Sequence, residues 1–111
     1  MKDLRRGYKI FGLREGSLSS LTMGTDGRHV FSNDFTAVPR SGCGPFAVFD
    51  SLEAVINFKF AYGWKYNPVC EVEYEPSEES CFYTPCGKRA ASVPPGTQFA
   101  KSVRVIKYLG I

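Results

Sequence analysis

A chain of 111 residues is long enough for one ordinary core and too short for two. Hydrophobic residues at 43%, among them nine Phe, six Tyr and one Trp, exclude a disordered polymer, and no apolar run approaches the ~20 residues that cross a bilayer. The net charge of +3 is segregated: residues 1–65 hold nine Lys/Arg and six Asp/Glu, residues 66–80 five Glu and no base, and residues 81–111 five Lys/Arg and no acid.

Such segregation either pairs internally, when acidic and basic strands lie side by side, or builds a dipolar surface for a partner. Internal pairing is the default expectation, and a pI near 8.7 falls short of the ~9 that marks a nucleic-acid binder. The first residues are charged and lack the apolar stretch of a leader peptide, so the expectation is a soluble, cytoplasmic protein with no membrane association.

In chain order, residues 8–13 read as a first strand, with Tyr8 and Ile10 on one face and Lys9 and Phe11 on the other. Residues 18–23 and 28–31 are shorter strands joined by Gly24-Thr25-Asp26-Gly27, whose Asp-Gly pair suits a hairpin turn. Residues 32–40 read as loop. The segment 41–63 is a complete strand–turn–helix unit. Gly42, Gly44 and Pro45 turn the chain and Phe46–Phe49 is a short buried strand. Asp50 caps a helix with Glu53 as the reciprocal acid, Leu52, Val55, Ile56 and Phe60 form its apolar face, and Gly63 ends it.

Residues 69–75 form the clearest strand, in which Cys70, Val72 and Tyr74 alternate with Glu71, Glu73 and Glu75, so one face is buried and the other acidic and wet. Prolines and glycines interrupt any long element over residues 80–96. Residues 102–109 close the chain as a strand near the middle of the sheet, with Val103, Val105, Lys107 and Leu109 on one face and Arg104, Ile106 and Tyr108 on the other. The expected fold is α+β, a single domain over residues 1–111 with a mostly antiparallel, twisted sheet packed by one principal helix at about 51–62. One helix covers one sheet face; the other is solvated, curled into a barrel-like half, or covered by the Pro-rich segment.

Tyr8-Lys9-Ile10-Phe11, the run from Pro45 to Ala54, the acidic strand and the closing strand follow one another in a layout that resembles small uncharacterised proteins of phages and mobile elements. Those proteins share a Tyr-Lys-x-Phe strand, a Gly-Phe-His-x-Phe strand leading into a Ser-Leu-Glu-x-Ala helix, and an acidic alternating strand. Ala47 stands where that pattern has His, so no role of such a His passes to this chain. A fainter likeness is to the ADP-ribosyltransferase-like fold, which implies a His or Arg for a nicotinamide cofactor and a late Glu. Here the single His is His29 and the last third has no acid, which leaves His29, Tyr62 and Glu73 as the nominal triad.

Cys43, Cys70, Cys81 and Cys86 have two readings. Cys81 and Cys86 form a C-x4-C pair ending in Pro-Cys-Gly, and thiolates there would hold zinc if Cys43 joined them with Cys70 or His29. Structural zinc sites use two close pairs, whereas Cys43 and Cys70 are far apart in sequence, and small buried thiols in a reducing compartment are the plainer reading. No metal and no cofactor are expected. The Glu-rich strand looks like a solvated face rather than a pair of opposed catalytic carboxylates, and Gly42-Cys43-Gly44 precedes a strand rather than the helix a phosphate loop needs.

Two surfaces are candidates for binding. Trp64, Lys65 and Tyr66 crowd the loop after the helix, a composition found at interface hot spots, although the favoured expectation for Trp64 itself is that it folds back as a core cap. Lys88, Arg89, Lys101, Arg104 and Lys107, with Arg5 and Arg6 nearby, could meet nucleic acid or an acidic protein, or neutralise the Glu71, Glu73 and Glu75 strand. The leading expectation is a non-enzymatic accessory protein of phage or mobile-element type that binds another protein, as a monomer or homodimer. The alternatives are an ADP-ribosyltransferase-like enzyme and a nucleic-acid-binding module.

Overall fold

The computed structural model describes residues 3–14, 16–19, 30–39, 45–79, 81–84, 87–90 and 93–111. In chain order the elements are β1 (Arg5–Ile10), β2 (Gly12–Arg14), β3 (Ser17–Ser19), β4 (Val30–Phe31), β5 (Phe46–Phe49), α1 (Leu52–Ala61), β6 (Val69–Pro76), β7 (Cys81–Thr84), β8 (Gly87–Ala90) and β9 (Thr97–Tyr108). Antiparallel pairing in the order β1-β5-β9-β6 closes a four-stranded barrel, with β2-β3-β4 forming a small second sheet and β7-β8 a hairpin. The fold is α+β, one globule of antiparallel sheets with, among the described residues, one helix. Of the three fates left open for the second sheet face, closure into a barrel is the one realised.

Alternation along the strands sorts side chains into two cores. Phe46 and Val48 from β5, Cys70, Val72 and Tyr74 from β6, and Ala100, Val103 and Val105 from β9 gather with Phe11, Phe31 and Ala37 inside the barrel. Phe11 and Phe31 meet with ring centroids 5.0 Å apart, and Phe31 and Phe46 at 5.1 Å. On the outside of the wall, Ile10, Phe49 and Val69 meet Val55 of α1, with Tyr8, Ile56, Phe58, Trp64 and Leu109 packed around them. Gly7 of β1 is required by space. A Cβ there would lie 2.7 Å from the Phe49 carbonyl oxygen and 2.9 Å from the Tyr74 ring.

Several element limits differ from the sequence reading. The first strand begins at Arg5 and breaks at Phe11, where the Phe11 N–H donates to Pro68 O (2.9 Å) and its carbonyl accepts from Asn67 Nδ2 (3.1 Å). Those bonds hold Phe11 at the point where the chain leaves the barrel, and Gly12 opens the second sheet. The expected hairpin strands pair as β3 and β4, Leu18 opposite Phe31, while the turn at 24–27 lies outside the described residues. The closing strand starts five residues early, at Thr97. Its expected faces are overturned by a register shift: Lys107 pairs with Glu71 but Val105 with Val72, which leaves Ile106 as the extra residue of a bulge. Beyond it, Lys107 and Leu109 lie on the outer side of the wall, Val105 on the inner. The segment read as interrupted holds β7 and β8, in register from Cys81 opposite Ala90 to Thr84 opposite Gly87.

Candidate functional site

The helix is rotated from the sequence expectation. Ser51, not Asp50, is its N-cap: extended at φ −142°, it accepts the Ala54 N–H through Oγ at 3.1 Å. Glu53 therefore stands one place too early for a capping box, and Asp50 is released to the preceding turn, its N–H donating to Gly96 O at 2.9 Å. At the other end Gly63 has φ +76°, and the Trp64 N–H reaches back to Lys59 O at 2.9 Å while the Tyr62 N–H bonds Phe58 O at 3.0 Å. This C-terminal hook swings Trp64 onto the outer core, the position of a core cap. Val55 and Lys59 are the buried helix residues, with Ile56 and Phe58 partly buried, whereas Leu52 is exposed and Phe60 is 67% exposed. The expected apolar face of Leu52, Val55, Ile56 and Phe60 is thus wrong at both ends. A helix apolar around most of its circumference leaves its buried arc to be chosen by its caps, and here the arc includes the aliphatic stem of Lys59.

That rotation opens a groove of about 580 Å3 along one flank of α1. Asp50, Ser51 and Glu53 line one end, Ala54, Asn57 and Phe58 the middle, and Ala61 and Tyr62 the far end, facing Pro94, Pro95 and Gly96. Phe58 and Tyr62 present adjacent rings, centroids 4.8 Å apart and tilted by 33°. The opposite wall is a turn. Pro94 O accepts both the Thr97 N–H (3.2 Å) and the Thr97 hydroxyl (2.7 Å), Pro95 supplies the fixed φ, and Gly96 takes φ +83°. Gly96 also lies so close to α1 that a Cβ would meet Ala54 Cβ at 2.7 Å and Asp50 Oδ1 at 2.8 Å. The helix start and the turn are therefore locked together before anything binds.

The candidate residues distribute unevenly over this frame. Lys65 and Tyr66 are exposed after the hook, Tyr66 at 87%, with Lys65 Nζ 5.2 Å from the Tyr66 ring centre. Lys101 pairs with Glu75 (3.2 Å) and Arg104 with Glu73 (3.5 Å), and Arg6 completes the row with Glu71 (3.7 Å). The acidic strand is neutralised by its neighbours on both sides, each glutamate more than two-thirds buried. Lys107 is exposed, opposite Glu71 in register. Lys88 and Arg89 fall on β8, opposite Tyr83 and Phe82, and their side chains lie outside the described residues.

Of the nominal triad, Tyr62 packs on Phe58, Glu73 faces Arg104, and His29 lies outside the described residues. So do Cys43, Cys86 and the Cys81 side chain. Cys70 is a free thiol inside the barrel, its pKa pushed up to about 11 by burial. Among the described residues no group of three His, Cys, Asp or Glu is placed to hold a metal ion, and no helix is long and apolar enough to cross a membrane.

Sequence reasoning missed two features. Lys9 extends into the barrel, where Nζ donates to Ala47 O at 2.6 Å and lies 5.8 Å and 5.6 Å from the Phe11 and Phe31 ring centres. Burial lowers its pKa from 10.5 to about 8. Its inward face follows from alternation with Tyr8 and Ile10, a signal present in the sequence, whereas its register opposite Cys70 comes from strand pairing. The groove was also missed, since its two walls come from segments more than thirty residues apart. Comparison with family models, curated proteins and solved structures found no match to this chain.

Proposed function

We propose that this is a small accessory protein of phage or mobile-element type that works in the cytoplasm by binding another protein, which it holds in the groove beside α1. The observation that carries the reading is the groove itself, a pre-assembled concavity with an aromatic pair on one wall and a proline turn on the other. Walls fixed in advance lose little freedom on association, and the exposed Tyr62 ring, backed by the partly buried Phe58, supplies contact area at low entropic cost. Tyr66 and Lys65 are exposed just beyond Tyr62 in the chain and add a second aromatic ring next in sequence to this end. The basic row of the last third is a weaker support for a nucleic-acid module, because Lys101 and Arg104 already face carboxylates.

A photo-crosslinking amino acid placed at Asn57, exposed in the groove, tests the reading in the host cell. The same group at Leu13, exposed on β2 and outside the groove, is the control. The expected result is a discrete protein adduct from position 57 and none from position 13. Equal labelling from both positions, or adducts only to nucleic acid, removes the reading.

A further inference from the structure

The carboxylates of this chain fall into two groups. Glu71, Glu73 and Glu75 each have a base within 4 Å. Asp50 and Glu53, at the mouth of the groove, are exposed and, among the described residues, have no ion-pair partner and no Lys or Arg beside them in the groove lining. A helix N-terminus ordinarily favours an anion. Here Ser51 Oγ already takes the Ala54 N–H, and an anionic ligand would approach two carboxylates.

The rest of the groove limits how an occupant is held. Pro94 and Pro95 have no N–H to give, and the Pro94 carbonyl is already bonded twice by Thr97. This wall therefore offers an added strand few backbone partners, and recognition falls mainly to side chains. Beyond the acidic mouth the rings of Phe58 and Tyr62 form an apolar platform. The ten-residue helix is about 15 Å long, which an extended peptide spans with roughly four or five residues.

Resting on the partner-binding reading above, we infer that the groove takes an extended segment of its protein partner carrying a cationic residue at one end and a large apolar or prolyl residue three or four positions away. The cation sits between Asp50 and Glu53, and the apolar residue lies on Phe58 and Tyr62 against Pro94 and Pro95. An arginine fits best, because its planar fork engages a carboxylate with two parallel N–H bonds.

The test uses the full chain and synthetic eight-residue peptides in three matched sets, in which one position is Arg, its uncharged isostere citrulline, or Glu, with Leu, Phe or Pro varied three and four positions away. The expected result is that members of the Arg set bind, with the citrulline and Glu sets at least 10-fold weaker. Glu53→Gln and Asp50→Asn should each weaken the Arg set by about 10-fold, a loss typical of one charge-assisted contact. Ala61→Trp, at an exposed position within the groove, should abolish binding, with an unchanged melting temperature confirming that each variant is folded. Equal binding of the Arg and citrulline sets, still abolished by Ala61→Trp, overturns the cationic occupant while leaving the groove as a binding site. No binding by any set, binding indifferent to Ala61→Trp, or a dimer that Ala61→Trp dissociates overturns the groove reading and this inference together.

Discussion

The inside of the barrel and the outer surface of α1 are both rich in aromatic side chains, yet they hold them under different constraints. Inside, Phe11, Phe31 and Phe46 form a chain of rings in the buried core that the barrel strands share with β4, and Phe11 has no exposed surface. Outside, α1 covers the wall with one arc, and its remaining circumference is left to solvent, with Phe60 and Tyr62 both more than 60% exposed. A closed sheet gives every inward residue neighbours in each direction. A helix laid on a barrel gives that only along its line of contact, so its flanks are where apolar side chains stay available for something else.

The largest effect expected from this contrast is at Phe11. Removing its ring by Phe11→Ala should cost about 3–5 kcal/mol, because the closed wall has little room to collapse onto the cavity. Chemical denaturation read by far-UV circular dichroism measures it, and a loss under about 1 kcal/mol would mean the barrel is not closed around this ring. Gly7→Ala probes the wall from the opposite direction, by adding a methyl group. The obstructing atom 2.7 Å away is a backbone carbonyl oxygen, which cannot rotate aside, and overpacking of this kind typically costs about 1–3 kcal/mol. An unchanged midpoint would show that β1 and β5 lie further apart than the structure places them.

Lys9 is the charged exception within the interior. Its folded pKa of about 8 lies below the ordinary 10.5, so at intermediate pH the unfolded chain holds more proton than the folded one. Stability from this group therefore rises with pH: the burial penalty is full below pH 8, is relieved as the amine deprotonates, and is gone above about 10.5. Between pH 7 and 9 wild type should gain about 1 kcal/mol relative to Lys9→Met, which cannot titrate but occupies similar space. Measuring both proteins at each pH cancels the titration of every other group, Cys70 included. A difference that stays flat across that range would place the amine in water rather than under the Phe11 and Phe31 rings.

Alternation made the barrel wall legible from the sequence. Cys70, Val72 and Tyr74 against three glutamates mark the faces of β6, and charge order makes pairing of those glutamates with the basic strand the default over a surface left for a partner, which the ion pairs bear out. The bulge at Ile106 was not legible, because one inserted residue reverses every later face and leaves no mark in composition. Barrel closure was left among three alternatives for a related reason: it depends on how four strands separated by long segments meet at their edges. The groove was hidden by an ambiguity one residue wide. Asp50 and Ser51 are both good caps, and the serine, one position later, is the one that bonds Ala54, which leaves Asp50 in the turn facing Gly96.

Phe60 gives the smallest expected effect and tests the rotation of the helix directly. Had Leu52, Val55, Ile56 and Phe60 formed the packed face, Phe60→Ala would cost several kcal/mol. With the ring 67% exposed, and with Ala the better helix former, the substitution should change stability by no more than about 0.5 kcal/mol. Phe58→Ala, two residues earlier, removes a ring that packs on Phe49 at 5.2 Å and on Tyr62 at 4.8 Å, and should cost clearly more than Phe60→Ala. The order of the two losses decides the matter, whatever their absolute size. A larger loss at Phe60 would turn α1 about its axis, bury the flank now exposed, and close the groove against Pro94 and Pro95.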